Sequence, residues 1–334
     1  MPVHAQSAFS ARERLKPHTF EFGTLGPEEV EIAISHCGIC HSDVHLIDND
    51  WGISSYPLTP GHEAVGEVSA VGSAVKSLKI GSRVGVGWQA GSCMHCEFCE
   101  DGLVNVCAGG QPTCVGRPGG FADRLRADHR FAFEIPKGVS SDEAGPLMCG
   151  GATVFSPLED HDVRDGARVG VVSVGGLGHI AIQFAKARGC KVTAFSTTPN
   201  KEAEAREMGA SDFVVLSDSD AMSAHAASVD FLMTTTPADL QWDAMLGLVR
   251  PRGALCLLGV PASAVQFQAF PVLAGMKRIV GSNTGSLPGI KSMLNTAAKE
   301  GVRPIIERYP MSDVNTALDR VRQKTVRYRA VLVA

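Results

Sequence analysis

Nowhere does the chain run through about 20 consecutive apolar residues, the length a helix needs to span a bilayer. Its opening residues, MPVHAQSAFSARERLKPHTF, lack the short apolar core behind a basic flank that marks a secretory leader. Charge of neither sign dominates: 31 Lys and Arg against 35 Asp and Glu leave a net charge of −4. No basic stripe gathers on any segment, so a nucleic-acid backbone finds no electrostatic partner. There is no internal repeat and no low-complexity segment. Hydrophobic residues make up 44% and charged residues 20%, and the mean hydropathy is +0.06, which excludes the polar composition of disorder. The expectation is a folded, cytoplasmic protein whose partner is a small molecule and neither nucleic acid nor membrane.

What the chain does have is length and thiols. At 334 residues it exceeds one compact core of usual size, so two domains or one large α/β domain are expected. Ten cysteines stand at 37, 40, 93, 96, 99, 107, 114, 149, 190 and 256. In a reducing compartment clustered thiols read as metal ligands or reactive groups, not as disulfides.

Residues 1 to about 145 carry short apolar or alternating runs, such as Val30–Ile34 and Glu67–Val71, broken by Gly and Pro. That texture predicts an irregular β-rich domain. From about Ala167 it changes. Val169–Val174 is an apolar run of buried-strand length, Gly175-Gly176-Leu177-Gly178 follows, and His179–Arg188 has helical spacing. Further strands are expected at Cys190–Phe195, Phe213–Leu216, Asp230–Thr234, Ala254–Leu258 and Arg278–Val280, with helices at Lys201–Met208 and Leu240–Val249 between them. Strands alternating with helices build βαβ units on a parallel sheet. The end of the chain predicts a helix over Ser312–Gln323, capped by Ser312, and a strand over Tyr328–Val333 that can return to the first domain.

Three motifs carry chemistry. Cys93-x2-Cys96-x2-Cys99-x7-Cys107 lets a short loop wrap four thiolates around one zinc ion in a closed, structural site. A nucleic-acid-binding zinc ribbon is the competing reading, disfavoured because no Lys or Arg lies between Cys93 and Cys107. Cys40 in CGICHSD, His62 in Gly61-His62-Glu63 and Cys149 in PLMCGG are dispersed. A Cys2His set leaves zinc an open position for water or substrate, as in catalytic sites, although each fragment alone also fits a buried core residue. Ser173-Val174-Gly175-Gly176-Leu177-Gly178, between strand and helix, lets a pyrophosphate approach the backbone and the positive helix end. Ser173 stands where the fingerprint has its first glycine, so a plain tight turn is the alternative.

Gly61-His62-Glu63-x2-Gly66-x5-Gly72-x2-Val75 resembles the signature of the zinc-containing alcohol dehydrogenases of the medium-chain dehydrogenase/reductase superfamily. CGICHSD, the four-cysteine lobe, PLMCGG and SVGGLGH follow in the matching order, so the resemblance spans essentially the whole chain. Within the superfamily it is most similar to the cinnamyl alcohol dehydrogenase group and its bacterial NADPH-dependent aldehyde reductases. The resemblance implies an α/β fold: a GroES-like β-rich catalytic domain at 1–146, a Rossmann doubly wound parallel-sheet domain at 147–285, and a return to the catalytic domain at 286–334. It implies hydride transfer between NADP(H) and a primary alcohol or aldehyde, two zinc ions per chain, and a homodimer formed through the Rossmann domain.

Residue by residue, the resemblance makes Cys40, His62 and Cys149 the catalytic zinc ligands and Cys93, Cys96, Cys99 and Cys107 the structural ones. Glu63 resembles a glutamate that approaches the metal during ligand exchange, and Asp43 a carboxylate that orients the ligating imidazole. Ser42 and His45 occupy proton-relay positions, and Trp51 and Trp88 fall where the family places substrate contacts. Cofactor contacts are expected from His41, Thr153, Ser173, Gly175, Gly176, Leu177, Gly178, Ser196, Thr197, Thr198, Lys201, Ser282 and Asn283. Cys37, Cys114, Cys190 and Cys256 match no ligand position and suit small buried hydrophobes.

Cofactor choice can be read from the residues themselves. An NAD site presents Asp or Glu roughly 20 residues beyond the glycine turn. Here stand Phe195-Ser196-Thr197-Thr198-Pro199-Asn200-Lys201, without a carboxylate and with three hydroxyls and a cation, which favours a 2′-phosphate. An ordinary polar loop is the alternative. Two other functions remain in view: a non-catalytic zinc and nucleotide binding protein, which would not need Ser42 and His45, and a polyol dehydrogenase, a group that commonly places Glu where this chain has Cys149.

Overall fold

The computed structural model describes all 334 residues, and no helix in it is long and apolar enough to cross a membrane. The chain divides into two compact units. The first comprises Met1–Cys149, Ser286–Lys299 and Pro304–Ala334; the second comprises Gly150–Gly285 and Glu300–Arg303. The π-helical turn Leu147–Gly151 straddles the junction, with Cys149 the last residue of the first stretch.

In the first unit a seven-stranded sheet runs in the order Ile306–Pro310, Arg329–Val333, Glu29–Ile39, Ala64–Val71, Arg83–Val86, Ala132–Glu134, with Arg124–Asp128 also paired to Glu29–Ile39. Pairing is antiparallel except between the two C-terminal strands. Val30, Ile32 and Ile34 alternate inward and pack with Val68, Val84, Phe121 and Leu332, the period-2 pattern of a half-buried strand. Gly66 lies on the central strand where a Cβ would come 2.0 Å from the Ala33 carbonyl oxygen, so only glycine fits.

The second unit holds a six-stranded parallel sheet in the order Asp212–Val215, Lys191–Ser196, Arg168–Val172, Val229–Thr234, Val249–Leu257, Arg278–Gly281. Counted along the chain this is 3-2-1-4-5-6, the doubly wound dinucleotide-binding order. Its inner strands are largely apolar because both faces are covered; Val169, Val171, Val172, Phe195, Leu232, Met233 and Leu255 are all buried. The winding reverses next to Arg168–Val172, and the 173–178 turn leaves the sheet at that point. Gly178, first residue of the helix Gly178–Ala187, passes so close to the turn that a Cβ would stand 1.8 Å from the Ser173 carbonyl oxygen.

Local differences from the sequence reading have simple causes. The last helix is Val314–Arg322, preceded by a 3-10 turn Met311–Asp313. Asp313, not Ser312, takes the N-cap position, because that extra turn displaces the helix start. The helix Leu287–Glu300 was not anticipated: Pro288 and Gly289 in its first turn disguise it, while Ile290, Met293, Leu294 and Ala297 form its buried face. The strand expected from Ala254 begins at Val249.

Candidate metal and cofactor sites

The first site is organised by one carboxylate. Asp43 is fully buried in the first turn of the helix His41–Asp48, which starts directly after the strand Glu29–Ile39. Its Oδ2 accepts the Cys40 N–H at 2.9 Å, and its Oδ1 accepts the Gly61 N–H and the His62 Nδ1–H, each at 2.9 Å. With Nδ1 donating, His62 presents the Nε2 lone pair, and this buried atom has no hydrogen-bond partner in the protein. The ligand atoms of Cys40, His62, Glu63 and Cys149 all lie within 4.8 Å of one another. Two thiols and an imidazole at that spacing suit zinc. Burial opposes protonation of His62, but the Asp43 carboxylate more than offsets it and holds the imidazole pKa well above its ordinary value. The same polarisation makes Nε2 a stronger donor to a metal. A hydrogen bond from Cys149 favours the Cys40 thiolate, whose pKa falls well below the usual thiol range.

Glu63 is also fully buried, and its Oε1 accepts from the guanidinium of Arg329 on the C-terminal strand. Burial pushes the Glu63 carboxyl up to about 7 against the pull of Arg329. Oε2 has no hydrogen-bond partner. Arg329 was not read from the sequence, since 266 residues separate it from Glu63 and only sheet pairing brings them together.

Ser42 Oγ lies 3.7 Å from Cys40 Sγ, and His45 is one turn further along the same helix. His45 Nδ1 donates to Asp50 Oδ2 at 2.8 Å, a partner the sequence reading missed although it sits five residues on. Trp51 and Trp88, far apart in sequence, meet edge to face with ring centroids 6.0 Å apart, and Trp88 stands 5.2 Å from the His62 ring. Cys37, Cys114, Cys190 and Cys256 are buried. Cys114 comes within 4.8 Å of Asp43 and His62.

The four-cysteine lobe is compact. Sγ–Sγ distances are 3.4 Å for Cys93–Cys107, 3.7 Å for Cys96–Cys107 and 3.9 Å for Cys93–Cys99. A tetrahedron with metal–sulfur bonds of about 2.3 Å has edges of about 3.8 Å, so these thiols match a closed cage. Cys96 caps the short helix Glu97–Glu100, and the cage rests on Val104, Phe131 and Leu287.

In the second unit Ser173 adopts φ +81°, the left-handed conformation that the missing glycine would take freely. Its N–H donates to the Phe195 carbonyl at 2.7 Å, while Thr235 Oγ1 donates to the Val172 carbonyl at 2.8 Å and His179 Nδ1 to that of Gly175 at 2.9 Å. These bonds hold the turn Ser173–Gly178 against the adjacent strands. Ser196 ends the neighbouring strand; its hydroxyl accepts the Thr198 N–H at 3.0 Å, while Thr197 and Thr198 are exposed. Lys201 Nζ meets Glu204 Oε2 at 3.1 Å, a carboxylate just beyond the segment judged acid-free. Ser282 and Asn283 follow the outermost strand, and the Ser282 hydroxyl is buried without a partner. Thr153 lies in the helix Ala152–Asp160 of this unit, whereas His41 opens its helix in the first unit.

Residues 26–137 match the family model described as the alcohol dehydrogenase GroES-like domain, and residues 176–300 that described as zinc-binding dehydrogenase. An aldehyde reductase of Synechocystis is 38% identical over 330 residues, 99% of this chain and 98% of its own length. A mannitol dehydrogenase of Petroselinum crispum is 40% identical, covering 95% of this chain and 97% of its own. Among solved structures, a cinnamyl alcohol dehydrogenase from Sorghum bicolor superposes with TM-score 0.95 at 38% identity, covering 100% of this chain and 98% of that one. The cinnamyl alcohol dehydrogenase of Helicobacter pylori, solved with NADP(H), gives 0.92 at 30%, also covering 100% and 98%. The chain belongs to the zinc-containing alcohol dehydrogenases of the medium-chain dehydrogenase/reductase superfamily, within the cinnamyl alcohol dehydrogenase group.

Removing one member of a buried ion pair strands the other charge, at a cost of about 3–5 kcal/mol. Arg329→Met should therefore lower the unfolding free energy by about 3 kcal/mol, and Glu63→Gln in the same chain should restore part of it. Urea denaturation of the three proteins measures this; an Arg329→Met protein as stable as wild type would show that the pair does not hold the site.

Proposed function

We propose that the protein interconverts aldehydes and primary alcohols with NADP(H), acting as a broad-range reductase of aliphatic, aromatic or cinnamyl aldehydes. One zinc ion is held by Cys40, His62 and Cys149, and a second by Cys93, Cys96, Cys99 and Cys107. The observation that carries this reading is His62: Nδ1 is committed to Asp43, and the buried Nε2 lies with two thiols and finds no protein partner. When bound, zinc polarises the carbonyl oxygen and the reduced nicotinamide supplies the hydride.

The chain's own groups do the rest. Two thiolates balance the charge of a divalent ion, leaving a formally neutral site. Ser42 passes a proton at the substrate oxygen, and His45, about a third exposed, exchanges it with water. Trp51 and Trp88 offer flat apolar faces to an aldehyde with an apolar or aromatic body. Residues 173–178 and the start of the following helix take the pyrophosphate. The exposed hydroxyls of Thr197 and Thr198, with the ammonium of Lys201 that Glu204 shares, favour a 2′-phosphate. The NADP(H) bound by the Helicobacter relative supports this choice. On this reading, residues 1–146 form the catalytic domain, 147–285 the NADP-binding domain and 286–334 the return segment.

The strand Arg278–Gly281 is an unpaired edge of the six-stranded sheet. In the helix Ala269–Gly275 and the turn that lead into it, Phe270, Leu273 and Met276 are 77%, 72% and 71% exposed. An open edge flanked by apolar residues calls for cover, which supports a homodimer formed there. Ten unpaired cysteines support a reducing, cytoplasmic setting. A polyol substrate is the second reading, favoured by the Petroselinum relative named for mannitol.

Metal analysis with NADPH-coupled aldehyde reduction tests the proposal. Wild type should carry two zinc ions per chain; Cys149→Ala should lose one of them together with activity while staying folded, whereas Cys96→Ala should lose the other and melt at lower temperature. A wild-type protein with one zinc or none would contradict it. For the cofactor, kcat/KM should favour NADPH over NADH, and Ser196→Asp should reduce that preference about a hundredfold by setting a like charge against the 2′-phosphate. A wild-type preference for NADH would overturn the NADP(H) assignment.

A further inference from the structure

His45 is braced on three sides. Asp50 Oδ2 holds its Nδ1 at 2.8 Å, the His41 ring lies at 5.8 Å between centroids, and the Trp51 indole lies at 5.1 Å, tilted by only 32°. Trp51 in turn meets Trp88, which abuts His62. The indole remains 37% exposed, so burial alone accounts poorly for a large aromatic here. A hydrogen bond between two groups each about a third exposed is a weak restraint. A large ring tilted against the imidazole at 5.1 Å narrows the rotamers that such a bond would permit.

We propose that Trp51 is a positioning residue: its indole holds the His45 imidazole against Asp50, in the orientation from which His45 passes protons. The proposal rests on the reading of His45 as the proton exit. Aldehyde reduction consumes one solvent proton per turnover, and on that reading it enters by way of His45. An imidazole free to rotate meets its partners in a smaller fraction of encounters, so kcat should fall more than KM rises.

Two measurements on the full-length, zinc-loaded enzyme test this. The first is the ring ¹⁵N–¹H spectrum of His45 in histidine-labelled protein. Trp51→Leu should abolish the solvent-protected Nδ1–H signal of the Asp50 bond, and Trp51→Phe, which keeps an aromatic face, should retain it. The second is a double-mutant cycle on kcat with NADPH and benzaldehyde. Trp51→Leu should cost about fivefold, Trp51→Phe should recover most of that, and the cost of Trp51→Leu should shrink to about twofold or less once His45 is Gln, the remainder being its contact with the aldehyde. An unchanged His45 signal in Trp51→Leu overturns the proposal, as does an undiminished loss in the His45→Gln background; Trp51 would then be a pocket wall alone. If Ser42→Ala and His45→Gln both keep wild-type kcat, the relay reading falls, and the spectrum still decides whether Trp51 positions His45.

Discussion

A carboxylate sealed from water must be matched by donors or it destabilises the fold. Asp43 is matched by three, from Cys40, Gly61 and His62. Those bonds tie the start of one helix to the loop before the next strand, and in doing so they fix where Cys40 and His62 stand. They also decide the tautomer of His62, which leaves Nε2 as the acceptor. The placement of Cys40 and His62 follows from that one buried group, while Cys149 comes from the separate turn Leu147–Gly151.

The rest of the first unit serves to close this arrangement. The C-terminal strand Arg329–Val333 joins the sheet beside Glu29–Ile39 and carries Arg329 to Glu63. That strand thereby becomes part of the candidate site, and Glu63, next to His62, depends on a partner 266 residues away. In the second unit the logic is different: a parallel sheet with both faces covered supplies a rigid frame, and the turn at its switch point is held by hydrogen bonds from Ser173, Thr235 and His179.

Much of this was legible in the sequence because it is local. Four thiols spaced two, two and seven residues apart predict one compact lobe, in which their sulfurs indeed lie 3.4 to 3.9 Å apart, and apolar runs alternating with helical spacing announce a parallel sheet. What was missed is non-local or disguised. Arg329 has no signal near Glu63, and Asp50 belongs to no motif. The Leu287–Glu300 helix hides behind Pro288 and Gly289. Glu204 lies just outside the window from which an acid-free cofactor loop was inferred, and only the structure shows it reaching Lys201. Ser173 departs from the glycine fingerprint in sequence, yet its positive φ shows that the backbone keeps the conformation.

If Asp43 holds His62 ready for zinc, as proposed, zinc affinity at Cys40, His62 and Cys149 depends on its charge. Competition with a chromogenic chelator should show the Asp43→Asn protein binding its catalytic zinc about 10- to 100-fold more weakly than wild type, with the four-cysteine site unaffected. Equal affinity at the catalytic site in both proteins would mean that the ligands are positioned by something other than this carboxylate, and the account would fail.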